Sequence, residues 1–106
     1  MARSDHTISM FEFSFGPSTL AAEAGSTSVL RLRNDGTPLH DWAILSTPIT
    51  SETGLRSDDL IASARVEPGA VVILEFDAPP PGTYQIICTI SGHFSEGMEG
   101  RLVVTP

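Results

Sequence analysis

The stretch CTISGHFSEGMEG, from Cys88 to Gly100, carries the only cysteine of a 106-residue chain. Four residues separate Cys88 from His93, four more separate His93 from Met98, and Gly92, Gly97 and Gly100 punctuate the run. Cysteine, histidine and methionine are three different kinds of metal ligand. TYQIIC before the stretch and RLVV after it have strand character, so the run reads as a loop joining two strands. Such a loop can wrap a point that Cys88, His93 and Met98 all face, with glycine supplying the permissive dihedrals of a tight wrap.

Around that loop the apolar period is mostly two, the period of half-buried strands. FEFSF puts Phe11, Phe13 and Phe15 on one expected face; SVLRLRN sets Leu30 and Leu32 opposite Arg31 and Arg33; VVILEF sets Val72, Leu74 and Phe76 opposite Glu75. DWAIL, TYQIIC and RLVV are further strands, with turns at Gly16-Pro17, Gly25, Asp35-Gly36, Pro68-Gly69 and the Pro79-Pro80-Pro81-Gly82 run. Short strands at near-regular spacing predict an all-β sandwich or barrel. One short helix is expected within SETGLRSDDLIASA, capped by Ser57 and running through Leu60 and Ile61. The triple proline reads as a rigid entry to the strand that ends at Cys88.

A chain of this length is one domain, residues 1–106, able to bury a core without disulfides, and a single cysteine excludes an internal one. Residues 1–6 are polar and expected to be flexible, with His6 among them. The net charge is −7, and all six basic residues are arginines without clustering, which argues against a nucleic-acid partner. No run approaches a membrane span of about 18 apolar residues, and MARSDHTISM lacks the apolar core of a signal peptide.

A fourth ligand is offered by NDGTPLHDWAI, in which His40 ends a turn and begins a strand. Strands that end at one pole of a sandwich bring distant residues together, so His40 can meet the loop. Two imidazoles, a thiolate and a weak thioether form the trigonal-plus-axial set that suits copper cycling between Cu(I) and Cu(II).

At this point the chain resembles a cupredoxin, a small blue (type 1) copper protein. The resemblance runs from FEFSFGPSTLAAEAGSTSVLRLRNDGTPLHDW through EPGAVVILEFDAPPPGTYQIIC to GHFSEGMEGRLVV. The Cys-x4-His-x4-Met spacing is similar to the loops of auracyanin and rusticyanin and longer than that of plastocyanin. It implies a Greek-key β-sandwich holding one copper ion, with His40, Cys88 and His93 equatorial and Met98 axial. Two positions depart from the family pattern: Ser91 stands where a proline often precedes the Gly-His pair, and Asp41 where asparagine often follows the first ligand histidine. Asp41 is expected to brace the backbone near Thr89 as that asparagine does.

Taken singly, Cys88 reads as a buried apolar residue and Met98 as a gap-filler. Met10, Trp42 and Tyr84 read as packing residues. The joint spacing favours the ligand reading. Zinc would accept two histidines and a cysteine but has little use for methionine. A nucleophilic Cys88 with His93 as base lacks an evident third, orienting residue. With three histidines and one cysteine, the chain cannot supply a multicopper cluster, a second nitrite-reducing copper site or a binuclear centre with two cysteines.

The resemblance therefore implies a monomeric electron carrier rather than an enzyme, in a periplasmic or other extracytoplasmic compartment. Redox proteins are expected to dock weakly near His93 on a patch drawn from Pro38, Leu39 and Phe94. The alternatives are a copper-trafficking or storage module, and a domain belonging to a larger membrane-anchored or multidomain redox protein.

Overall fold

Alternating apolar residues pair nine strands into two sheets that face each other across a shared core, and the computed structural model describes residues 3–106. The strands are β1 (Arg3–Phe11), β2 (Ser14–Gly16), β3 (Thr19–Glu23), β4 (Thr27–Asn34), β5 (His40–Leu45), β6 (Leu60–Val66), β7 (Val71–Asp77), β8 (Gly82–Ile87) and β9 (Glu99–Thr105). One sheet has the order β2-β1-β4-β7 and the other β3-β9-β8-β5-β6. β1 with β4 and β3 with β9 run parallel, and the remaining neighbours are antiparallel. Ile8, Met10, Leu30 and Leu32 fill the core from the first sheet, and Trp42, Ile44, Ile86 and Leu102 from the second.

β5 breaks the alternation, since all six of its residues are buried. Trp42 and Ile44 belong to the main core, while Leu45 packs with Ile49 and Ile87 in a second cluster. That second cluster lies under the long connection of residues 46–59, which covers the other face of β5. Gln85 on β8 fastens the connection: Ile49 N–H donates to Gln85 Oε1 at 2.8 Å, and Gln85 Nε2 donates to Ile49 O at 3.0 Å.

The sequence-based expectations need four corrections. FEFSF is not one strand: Phe11 ends β1, Glu12 and Phe13 form the turn, and β2 returns with Met10 opposite Phe15. Phe15 is buried whereas Phe11 and Phe13 are exposed, because a period-two reading carried across a hairpin loses its register. Arg3–His6 belong to β1 and pair with β4 from Thr27 to Leu30, rather than trailing loosely; residues 1 and 2 lie outside those described. The Ser57 helix reduces to a 3-10 turn, Ser57–Asp59, after another at Glu52–Gly54. Arg56, not Ser57, takes the cap position, without a side-chain bond, and Leu60, Ile61 and Ala62 extend into β6, where pairing with β5 outweighs a weak helical period. β3 and β6 were not anticipated as strands; each is short or flanked by polar residues.

Asn34 sets the turn that delivers His40. It is buried, its Nδ2 donates to Pro38 O at 2.8 Å and Val66 O at 2.9 Å, and its Oδ1 accepts from Gly36 N at 2.9 Å. One side chain thus pins residues 36–38 to the end of β6. Removing it strands three backbone groups, each costing roughly 1–3 kcal/mol where water cannot replace the partner. Asn34→Ala should therefore lower the stability of the metal-free protein by about 3 kcal/mol, read as a fall in the urea midpoint with unchanged slope.

Candidate metal centre

β5 and β8 are antiparallel neighbours, with Ala43 opposite Ile87, so the start of β5 and the end of β8 share one pole of the sandwich. His40 is the first residue of β5, and Cys88 follows the last residue of β8. The chain then turns back through residues 89–98 into β9. That turn is held by His93 N–H donating to Ile90 O (3.0 Å), Gly97 N–H to Phe94 O (2.9 Å) and Met98 N–H to His93 O (3.1 Å). Gly92 and Gly97 have φ of 85° and 101°, a region that side-chain-bearing residues rarely adopt.

Three atoms able to ligate a metal meet there. His40 Nδ1 and His93 Nδ1 are 3.2 Å apart, Cys88 Sγ is 3.3 Å from His93 Nδ1, and 4.0 Å from His40 Nδ1. The point equidistant from all three in their plane lies about 2 Å from each, close to ordinary metal–imidazole and metal–thiolate distances. His40 and Cys88 are wholly buried and His93 is 8% exposed. Met98 is wholly buried in the same core cluster as Cys88, and its carbonyl accepts the Cys88 N–H at 3.3 Å. The donor set and its spacing fit one copper ion.

Protonation favours ligation for the imidazole and resists it for the thiol. Burial, and then the neighbouring His40, hold His93 below the usual imidazole range, against the pull of Asp41, Glu12 and Glu52. Burial pushes the Cys88 thiol up to about 11, although the amides of Asp41 and Ile90 favour the thiolate. A metal that binds at neutral pH must therefore displace the thiol proton.

Asp41 is buried beside these three side chains. Its carboxylate accepts from Thr89 N at 2.5 Å and from Thr89 Oγ1, while its own N–H donates to Cys88 Sγ at 3.4 Å. It thus ties β5 to the first residue of the returning loop and to the thiol at once. Of the expected docking patch, Pro38 and Leu39 are half-buried. Phe94 is half-buried too, packed against the Leu45, Ile49 and Ile87 cluster.

Three side chains at the site went unmarked in the sequence. Phe13 sets its ring edge-on to His93, with centroids 5.2 Å apart. Glu12 Oε1 lies 3.3 Å from His40 Nε2. Both were hidden by reading FEFSF as a strand. Glu52, in the connection covering β5, accepts at Oε1 and Oε2 from Gly92 N (2.9 and 3.0 Å) and at Oε2 from Ser95 N (3.4 Å) and Ser95 Oγ (2.6 Å). A lone acidic residue in a polar loop offers no sequence signal for such a clamp.

Residues 2–104 match the family model described as the cupredoxin-like domain. Auracyanin-B of Chloroflexus aurantiacus is 46% identical over 44 residues, a match that spans 42% of this chain and 19% of that protein. Auracyanin-A of the same organism is 28% identical over 88% of this chain and 68% of its own length. The solved structure of auracyanin A, described as a "blue" copper protein, superposes with a TM-score of 0.81 at 23% identity, covering 98% of this chain and all of that one. That likeness is one of fold.

The Glu52 clamp makes a measurable difference. Ser95 and then Gly92 hydrogen bonds hold the Glu52 carboxyl below the usual range, against partial desolvation. A depressed carboxyl contributes above the ordinary glutamate range, and that contribution is lost as pH falls through the lowered value. Glu52→Ala should speed amide exchange at Gly92 and Ser95 by roughly tenfold or more, leave Thr89 protected by Asp41, and abolish any acid-dependent loosening specific to those two amides.

Proposed function

Because the chain belongs to the cupredoxin-like domain family, we propose that it is a one-electron carrier holding a single copper ion between His40, Cys88 and His93, with Met98 as a weak axial ligand. The observation that carries this reading is the buried triangle of two Nδ1 atoms and one Sγ, already at ligating separations. The description of auracyanin A as a "blue" copper protein supports it. Bound there, copper supplies the Cu(I)/Cu(II) couple.

The protein's part is to hold the ligands still and dry. Asp41 fixes the approach of β5 to the loop, Glu52 fixes the far side of the loop, and the core cluster closes over Cys88 and Met98. Ligands that do not move between oxidation states keep the cost of electron transfer small. The amide of Asp41 directed at Cys88 Sγ stabilises charge on sulfur without adding a ligand.

The chain reads as a carrier and not as an oxidase or nitrite reductase. Its third histidine, His6, lies on β1 with Ser4 Oγ 3.3 Å from Nε2, leaving no histidines for a second copper. Partners would dock weakly where His93 comes nearest the surface, over Phe13 with Pro38 and Leu39, a small contact suited to turnover. A periplasmic or other extracytoplasmic setting is the one this reading expects. Among the described residues no helix is long and apolar enough to cross a membrane.

Adding Cu(II) to the metal-free protein should give one equivalent of bound copper and an intense visible thiolate-to-copper band. Cys88→Ser should bind more weakly and stay colourless; a retained band in that variant would remove Cys88 from the site. Met98 separates a type 1 site from a simple three-ligand one. Met98→Leu should keep the colour and raise the potential, and Met98→Gln, offering a harder oxygen, should lower it. Voltammetry finding both equal to wild type would exclude an axial methionine.

A further inference from the structure

The tip of the β1–β2 hairpin reaches across the molecule to the copper ligands, and nothing in the ligand set itself requires this. His40 is wholly buried, with Nδ1 facing Cys88 and His93 and Nε2 on the opposite side of the ring. Glu12 Oε1 lies 3.3 Å from that Nε2. The carboxylate is not a loose surface group: Thr37 N–H donates to Oε1 at 3.1 Å, and Thr37 Oγ1 donates to Oε2 at 3.3 Å.

A second, independent observation points the same way. A Cβ at Gly36 would fall 1.8 Å from Glu12 Oε1 and 3.0 Å from His40 Nε2, so the residue without a side chain leaves the space in which carboxylate and imidazole meet. Asn34 holds Gly36 there through its Oδ1. The other carboxylate beside the ligands, Asp41, is engaged with Thr89. The hairpin tip, the Asn34 turn and the start of β5 thus converge on one hydrogen bond.

We propose that Glu12 is a positioning residue for the metal: its carboxylate accepts Nε2–H of His40, keeps Nδ1 free to ligate, and biases bound copper toward Cu(II) by its negative charge. The first part is a tautomer argument. A neutral imidazole carries its proton on one nitrogen, and a carboxylate at Nε2 keeps it there. The second is electrostatic. The oxidised centre is one unit more positive than the reduced one, so a fixed negative charge one imidazole away stabilises it preferentially. The inference rests on the copper reading and is tested separately from it.

The test compares wild type with Glu12→Gln and Glu12→Ala by histidine nitrogen NMR on the metal-free proteins, and by Cu(II) and Cu(I) affinities and potentials on the loaded ones. In its neutral form, wild-type His40 should carry its proton on Nε2. Glu12→Ala should lose that preference and about 10–100-fold in Cu(II) affinity. Glu12→Gln, whose amide oxygen still accepts, should keep the tautomer but lose the charge bias. A tenfold greater loss for Cu(II) than for Cu(I) appears as a rise in potential of about 59 mV.

A role confined to closing the hairpin would change thermal stability and leave the tautomer and the Cu(II)/Cu(I) affinity ratio untouched; that result overturns the proposal. So does a wild-type His40 carrying its proton on Nδ1. A wild-type protein that takes up no copper overturns the copper reading itself. Strong colour in all three proteins with equal potentials overturns only the role of Glu12.

Discussion

Asp41 joins two segments that must meet for a metal centre to exist. One of its oxygens takes the Thr89 amide, another takes the Thr89 hydroxyl, and its own amide reaches Cys88 Sγ. β5 brings one imidazole, and the end of β8 with the returning loop brings the thiol and the second imidazole, so the separation of those segments sets the size of the triangle. A buried carboxylate is costly to desolvate unless its oxygens are filled. Here the filling groups belong to the segment being positioned. The cost of burying Asp41 therefore favours this spacing: a loop pulled away from β5 would leave a buried carboxylate without partners.

Much of this was readable from the order of residues. Strands with strong alternation, such as Leu30 and Leu32 against Arg31 and Arg33, declared their faces, and the sandwich followed. His40, Cys88, His93 and Met98 stood out because their chemistry is rare and their spacing regular. What could not be read was anything depending on register across a turn. Phe11, Phe13 and Phe15 look equivalent at period two, yet a two-residue turn sends Phe15 into the core and leaves Phe13 on His93. Polar β1 residues gave little signal because their order comes from pairing with β4 rather than from burial of their own. Glu12 and Glu52 were invisible for a related reason: a glutamate's partner is fixed by tertiary geometry, and ordinary surface glutamates share its sequence context.

The charges around the site also differ from a simple reading of net charge. The chain carries −7 overall, but its influence on the centre comes from a few carboxylates held at fixed distances. Exposed acidic residues elsewhere are screened within about 10 Å at moderate salt. Asp41 is not, since it is buried, and Glu12, though exposed, contacts the buried His40 ring directly. Overall acidity sets solubility and long-range steering; those two groups set the local field.

The place of β9 has a consequence for how the protein is made. It is the last strand in the sequence, yet it sits inside its sheet, between β3 and β8, with parallel pairing to β3 from Thr19 to Glu23. During synthesis His40 emerges long before Cys88, His93 and Met98, and the loop bearing those three closes only when β9 inserts. A chain in which β9 has not yet paired thus has an imidazole and a growing sheet but no enclosed cluster of these four side chains. Copper uptake therefore waits on the pairing of β9, and the free energy of binding accrues to the closed sandwich alone.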